Sequence, residues 1–200
     1  KTKQLALDSC SQPWILCLDS DESVEPALAE SVREVISRDP QGTAGWFVNR
    51  RIYYREQQLK YAWQPEWRLR LVRRGRARWT GVYHDSLEVI PPNSGEPGGV
   101  ERLAGVLRHD SFTTFAAWLP KQVEHARLTA EAYYEVGKRA GVMGLPFRPA
   151  AAFLKQMVLK QAWRDGWPGW LAAASVAAYV LMKHMTLVEL TRAGNESGKK

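Results

Sequence analysis

Residues Trp14-Ile15-Leu16-Cys17-Leu18 are apolar without interruption and run straight into Asp19-Ser20-Asp21-Glu22. A run this short, with no polar alternation, predicts a strand covered on both faces, the pattern of a parallel strand in an α/β sheet. Downstream, Pro26 suits the first turn of a helix. Leu28, Val32, Val35 and Ile36 then share one face at helical spacing, and Asp39-Pro40 ends the pattern. The result is a β-α unit with carboxylates at its junction. In open α/β sheets ligands bind outside the carboxyl ends of strands, where this acidic cluster is expected to lie.

Further strands are expected where residues alternate. Trp46, Val48, Ile52 and Tyr54 share one parity, and Arg68-Leu69-Arg70-Leu71-Val72 alternates basic with apolar residues, so both read as half-exposed strands. Shorter candidates follow at 84–90 and 102–108, separated by the turn-like Pro91-Pro92-Asn93-Ser94-Gly95. The sheet is expected to end near His109. Beyond Ser111 the period becomes helical, with Phe115, Leu119, Val123, Ala126, Ala130 and Tyr133 on one stripe and Pro120 either kinking that helix or marking its first turn. Two more helical blocks are expected, at about 150–163 and 167–190.

The last block holds the most apolar stretch, Leu171 to Met182, beside Trp163, Trp167 and Trp170 and near Lys155, Lys160, Arg164 and Lys183. It is shorter than the roughly 20 apolar residues a span needs, which leaves a core helix or a membrane-surface helix, with the indoles and cations favouring the surface. The chain carries 28 basic against 21 acidic residues, a formal +7 that favours anionic partners without choosing among them. Two cysteines, one inside the apolar run, point to a reducing compartment. No signal sequence opens the chain, and the abrupt Lys1-Thr2-Lys3 start suggests a fragment.

Asp19 and Asp21 can both approach one hard divalent cation such as Mg²⁺ or Mn²⁺, since oxygen ligands suit these ions and such a cation would neutralise a diphosphate. The bland alternative is a solvated turn capping the Pro26 helix. The arginines 68, 70, 73, 74, 76 and 78 offer guanidinium forks matched to phosphate oxygens, with Arg70 and Arg73 the first candidates for an anionic ligand. The alternative is a solvated strand face. Trp67 and Trp79 beside this run imitate a nucleic-acid surface, but no nucleic-acid module accompanies them, so none is expected as a partner.

Several strings in order carry a resemblance: Gln4-Leu5-Ala6-Leu7, Trp14 to Glu22, Arg68 to Gly75, Gly81-Val82-Tyr83-His84-Asp85, Leu107-Arg108-His109-Asp110-Ser111, and Phe153-Leu154-Lys155 to Asp165-Gly166-Trp167. Together they resemble inverting family 2 glycosyltransferases of the bacterial lipopolysaccharide-core subgroup. The resemblance implies the C-terminal portion of a GT-A nucleotide-diphospho-sugar transferase fold, a mixed sheet with flanking helices, over 1–110. A helical, membrane-associating tail would follow over 111–192, including an interfacial helix at 167–190, and 193–200 would be disordered. In such enzymes the first strands and the nucleotide-base pocket precede the position of Lys1.

The implied reaction moves a sugar from a nucleotide-diphosphate donor to a lipid-linked or core saccharide, with inversion and Mg²⁺ or Mn²⁺, at the cytoplasmic face of the inner membrane as a peripheral protein. By the same resemblance Asp19 sits near the donor ribose, Asp21 and His109 hold the metal, and Asp85 is the base, while Arg70 and Arg73, from their guanidinium chemistry, are expected to reach the donor or an anionic acceptor. Asp85 stands where the subgroup usually has Glu after His. Glu66 and Glu88 are weaker candidates for the base. The reading from another class is a non-catalytic basic module that docks on an anionic membrane.

Overall fold

The computed structural model describes residues 2–80, 86–93, 98–110 and 114–197. Among these residues fifteen elements follow: α1 (Thr2–Asp8), β1 (Trp14–Leu16), β2 (Glu22–Val24), α2 (Pro26–Arg38), β3 (Thr43–Tyr54), β4 (Gln57–Gln58), β5 (Trp67–Arg73), β6 (Ala77–Thr80), β7 (Ser86–Val89), β8 (Gly99–His109), α3 (Phe115–Glu135), α4 (Gly144–Leu154), a π-helical turn (Lys155–Leu159), a 3₁₀ turn (Ala162–Asp165) and α5 (Trp167–Ser197). The chain divides into two units, Lys1–Tyr53 with Pro65–Ser111, and Tyr54–Gln64 with Phe112–Lys200.

The first unit is a mixed α/β layer structure. Its main sheet has the order β1-β5-β3-β8-β2, and β6 pairs with β7 in a separate ribbon. β1 is covered on both faces, as its composition requires. Trp14 packs with Leu28 and Val32 of α2 and with Trp46, Val48 and Leu71. Ile15 packs on the opposite side with Leu7 of α1, Val72, Ala77 and Leu87. The expected parallel pairing is corrected: β1 pairs antiparallel with β5, Trp14 opposite Arg73 and Leu16 opposite Leu71. A continuously apolar run reports coverage of both faces and says nothing of the neighbour's direction.

β5 also pairs antiparallel with β3, and β3 pairs parallel with β8. Hence β1, β3 and β8 point the same way, and their carboxyl ends lie on one side of the sheet. α2 begins with Pro26 in its first turn and ends at Asp39, which adopts a left-handed conformation and donates its N–H to Val35. Proline's missing N–H costs nothing in a first turn, and the left-handed residue closes the helix.

The half-exposed reading of β5 is corrected as well. Leu69, Leu71, Val72 and Arg70 are all buried. Trp46 opposes Leu71 and the next residue, Phe47, opposes Leu69, which leaves Arg70 as the extra residue of a β-bulge. A bulge breaks the two-residue alternation and re-aims the side chain it carries. β8 has its own irregularity: between the pairs Phe47–Arg102 and Asn49–Val106 the register shifts, and Gly105 there has φ +95. A Cβ on Gly105 would lie 2.5 Å from the backbone nitrogen of Leu28, so only glycine lets α2 seat on the sheet.

The second unit is helical. α5 packs against both α3 and α4. Tyr179 donates to the Thr129 hydroxyl at 3.0 Å, and Ala140 N–H donates to Thr191 Oγ1 at 3.2 Å. α3 is capped by Thr114, whose hydroxyl oxygen accepts from Ala117 N–H, and Pro120 lies inside the helix rather than in its first turn. The second helical block starts earlier than expected, at Gly144, and breaks at Gln161, whose φ of 55 no helix accommodates.

Asp165 ties the short segment containing β4 to the 3₁₀ turn. Its buried carboxylate accepts backbone N–H bonds from Lys60 at 2.8 Å, Tyr61 at 2.9 Å and Ala62 at 2.8 Å. α5 runs past the expected 167–190 stretch to Ser197, and over Trp167–Asn195 it is long and apolar enough, by length and composition, to cross a membrane.

Candidate functional site

Because β1, β3 and β8 point one way, the loop after β1 meets the far ends of the other two. Leu18 is followed by Asp19, and β2 starts at Glu22, pairing antiparallel with β8 so that Glu22 lies opposite His109. Asp110 N–H donates to the Asp21 carbonyl at 2.9 Å, and Cys17 N–H donates to the Arg70 carbonyl at 2.8 Å. The acidic loop is thus stitched to β5 on one side and to the end of β8 on the other.

The side chains form an alternating chain of charge. Lys3 on α1 donates to Asp19 Oδ1 at 2.7 Å, and Arg70 donates to Asp19 Oδ2 at 2.7 Å and to Glu22 Oε1 at 2.5 Å. Arg50 on β3 donates to the same Glu22 oxygen at 3.3 Å and grips Glu66 through two bonds of 2.5 Å and 3.1 Å. Glu22 Oε2 accepts the Asp19 N–H at 3.1 Å. The Glu22 side chain is 0% exposed, and among the described residues its charge is held by the two guanidiniums and the loop amide.

Asp21 points elsewhere. Its Oδ2 lies 3.2 Å from Nε2 of His109, and its side chain is partly exposed while the ring is buried. His109 Nδ1 is buried with no hydrogen-bond partner among the described residues, so Asp21 alone orients the ring. Burial lowers the His109 pKa first, and the nearby Arg50 charge lowers it further, against the opposing pull of Asp21, Glu22 and Glu66. A neutral imidazole facing a carboxylate donates Nε2–H to it or shares a cation with it.

Burial alone would raise the Asp19 pKa, but the Lys3 hydrogen bond and the Arg70 charge outweigh it and hold the carboxyl below its ordinary range. Glu66 follows the same pattern through Arg50 and Arg68. Burial pushes the Cys17 thiol up to about 11 despite Arg70, so it stays protonated at neutral pH.

Asp19, Asp21, Arg70 and His109 are therefore brought together, and Arg73 is not. Arg73 donates to Asp39 at 2.9 Å and to the Pro40 carbonyl at 3.1 Å, and stacks over Trp14. Glu66 is bound to Arg50 and Arg68, and Glu88 lies opposite Arg78 in the β6–β7 ribbon. Asp85 falls outside the described residues. Three residues were missed. Glu22 was legible as the next acid in the motif, whereas Lys3 and Arg50 reach the cluster only through folding. A pocket of about 210 Å³ opens beside Asp19, bordered by Lys3, Cys10, Cys17 and Trp79.

Among the described residues no three His, Cys, Asp or Glu side chains gather closely enough to hold a metal by themselves. Asp21 and His109, 3.2 Å apart, are the pair whose side chains could offer two ligands to one cation. That donor set fits Mg²⁺ or Mn²⁺, which keep several waters and take much of their shell from substrate phosphates.

No protein-family model matches the chain. It is similar to the lipopolysaccharide core biosynthesis glycosyltransferase LpsC of Rhizobium meliloti (strain 1021), with 31% identity over 185 residues that make up 90% of this chain. The aligned region spans 65% of that relative's length.

Proposed function

We propose that this chain is the catalytic portion of a glycosyltransferase that moves a sugar from a nucleotide-diphosphate donor to a lipid-linked or lipopolysaccharide-core saccharide. Similarity to LpsC over 90% of the chain supports the class. The observation that carries the site is the Asp21 carboxylate set against His109 at 3.2 Å, in the same loop as Asp19, which borders a pocket. The family 2 assignment, the GT-A fold and inversion rest on the resemblance of the ordered motifs.

Each residue then has a chemical task. Asp21 and His109 hold the cation. When bound, Mg²⁺ or Mn²⁺ supplies positive charge to the diphosphate that leaves. Asp19 is held ionised by Lys3 and Arg70, and its carboxylate can accept hydrogen bonds from the ribose hydroxyls if Lys3 swings aside. Arg70 and Glu22 keep the loop in place, and Lys3, so released, can meet the donor's phosphates. Asp85, assigned by the resemblance, takes the acceptor hydroxyl's proton as the new bond forms on the opposite face of the sugar. The apolar α5 and the relative's role in lipopolysaccharide synthesis support a peripheral place at the cytoplasmic face of the inner membrane.

The metal assignment is tested by titrating Mn²⁺ into the protein with a nucleoside diphosphate present, followed by electron paramagnetic resonance. Asp21→Ala and His109→Ala should each weaken binding by at least about tenfold with the fold intact by circular dichroism. Unchanged affinity in both variants would remove the site.

A further inference from the structure

α4 has an unusual composition for a helix of a small unit: GLPFRPAAAFL contains one charge and nine apolar side chains counting proline, yet none of its residues is buried. Met143, Phe147, Leu154 and Val158 are 58–74% exposed. With Ala150 and Ala151 they recur at three- and four-residue intervals, which puts them on one outward stripe. Arg148 and Lys155, seven residues apart, run along one margin of that stripe. On the other margin Phe153 meets Trp170, ring centroids 6.1 Å apart, and Trp170 is itself more than half exposed.

Charge around this stripe is one-sided. From 136 to 188 the sequence has seven Lys or Arg and one acid, Asp165, which is buried against three backbone amides, and the exposed Glu135 and Glu189 stand just outside that stretch. A second copy of the chain would bring the same basic surface against itself. An apolar stripe with an indole at one edge, cations at the other and no acid between 144 and 159 matches a bilayer of anionic phospholipid, whose surface attracts cations while its acyl boundary accepts the apolar groups. α5 divides its residues: Ala172, Ala173, His184, Leu187 and Val188 pack inside its unit, while Trp167, Trp170, Leu171, Leu181 and Met185 are exposed, so that, unlike α4, it has a buried face.

We infer that the outward stripe of α4 and the π-helical turn, rather than α5, is the surface that inserts into an anionic membrane. This rests on the membrane-peripheral part of the proposed function and is independent of its catalytic part. The apolar residues would enter the acyl boundary while Arg148 and Lys155 stay at headgroup level.

The test is flotation with phosphatidylglycerol–phosphatidylcholine vesicles, against phosphatidylcholine alone, at low and high salt. Wild type should float with the anionic vesicles and less at high salt. Phe147→Glu with Leu154→Glu should lower partition by about a hundredfold. Leu181→Glu with Met185→Glu, on the exposed side of α5, should change it less than about threefold. Arg148→Glu with Lys155→Glu provides a second variant that leaves the apolar groups in place, with an expected loss of at least about tenfold on anionic vesicles.

If wild type floats and the α5 pair abolishes binding while both α4 pairs retain it, the assignment to α4 is overturned and membrane docking survives. If wild type fails to float, the membrane reading falls and this inference with it, and donor binding is untouched. Loss of self-association in the Phe147–Leu154 variant with vesicle binding unchanged would also overturn it, in favour of a second copy.

Discussion

Removing Glu22 should cost more than removing either aspartate of the motif. Its side chain is 0% exposed and faces Arg70 and Arg50, themselves 6% and 14% exposed. Truncation to alanine strands two buried guanidiniums and the Asp19 amide, and breaking a buried pair costs about 3–5 kcal/mol. Arg70 keeps Asp19 and Arg50 keeps Glu66, which places the loss near the low end, about 3 kcal/mol. For a chain of this size that corresponds to a fall in Tm of roughly 6–12 °C. Glu22→Gln keeps the shape and one acceptor and should lose about half as much. Urea unfolding followed by circular dichroism gives the numbers, and Arg70→Met in the Glu22→Ala background gives the coupling. The double variant should lose at least about 1 kcal/mol less than the sum of the two singles. A Glu22→Ala protein within about 0.5 kcal/mol of wild type would refute the buried-network account.

Three further outcomes follow from the same geometry. Gly105→Ala should destabilise the first unit by at least about 3 kcal/mol in urea unfolding, because its Cβ would meet Leu28 at 2.5 Å and its φ is +95. Asp165→Ala should cost about 3 kcal/mol by taking the acceptor from three backbone amides, that of Ala62 buried and those of Lys60 and Tyr61 partly so, with enhanced amide exchange at 60–62 as the local signature. In chelator-containing buffer, stability should fall with acid in two steps. The folded state holds His109 neutral below its ordinary 6.5, so the unfolded chain takes that proton first and stability drops as pH falls below 6.5 until the lower folded value is reached. Asp19 and Glu66 have lowered folded values, so their contribution is full above their ordinary 3.8 and 4.5 and is lost as pH falls through the folded values. His109→Gln should erase the upper step and leave the lower one in a plot of urea midpoint against pH.

Local rules carried much of this fold. Pro26 and Asp39 marked the ends of α2, and the unbroken apolar run before Asp19 marked a strand covered on both faces. What local rules could not carry was anything set by register. The alternating Arg68 to Val72 pattern reads as a half-exposed strand, and the bulge that buries Arg70 beside Glu22 exists only once β3 and β5 are paired. Lys3 sits on a short helix whose sequence gives no sign that it reaches Asp19, sixteen residues on. Arg50 likewise joins the cluster only because β3 lies between β5 and β8. The pairing of Asp21 with His109, 88 residues apart, was legible through the resemblance and not through spacing. The second helical block was expected at about 150–163, and neither the start of α4 at Gly144 nor the solvent-facing side of its apolar stripe was legible from its composition.

Sugar transfer by the full-length protein, followed with a labelled nucleotide-sugar and a core-saccharide acceptor in the presence of Mn²⁺, bears most directly on the central claim. Asp21→Asn, which keeps the loop's shape and the Asp110–Asp21 backbone bond, should cut turnover at least about a hundredfold while urea stability stays within about 0.5 kcal/mol of wild type. Turnover equal to wild type in Asp21→Asn would contradict the assignment of this cluster as the site of transfer.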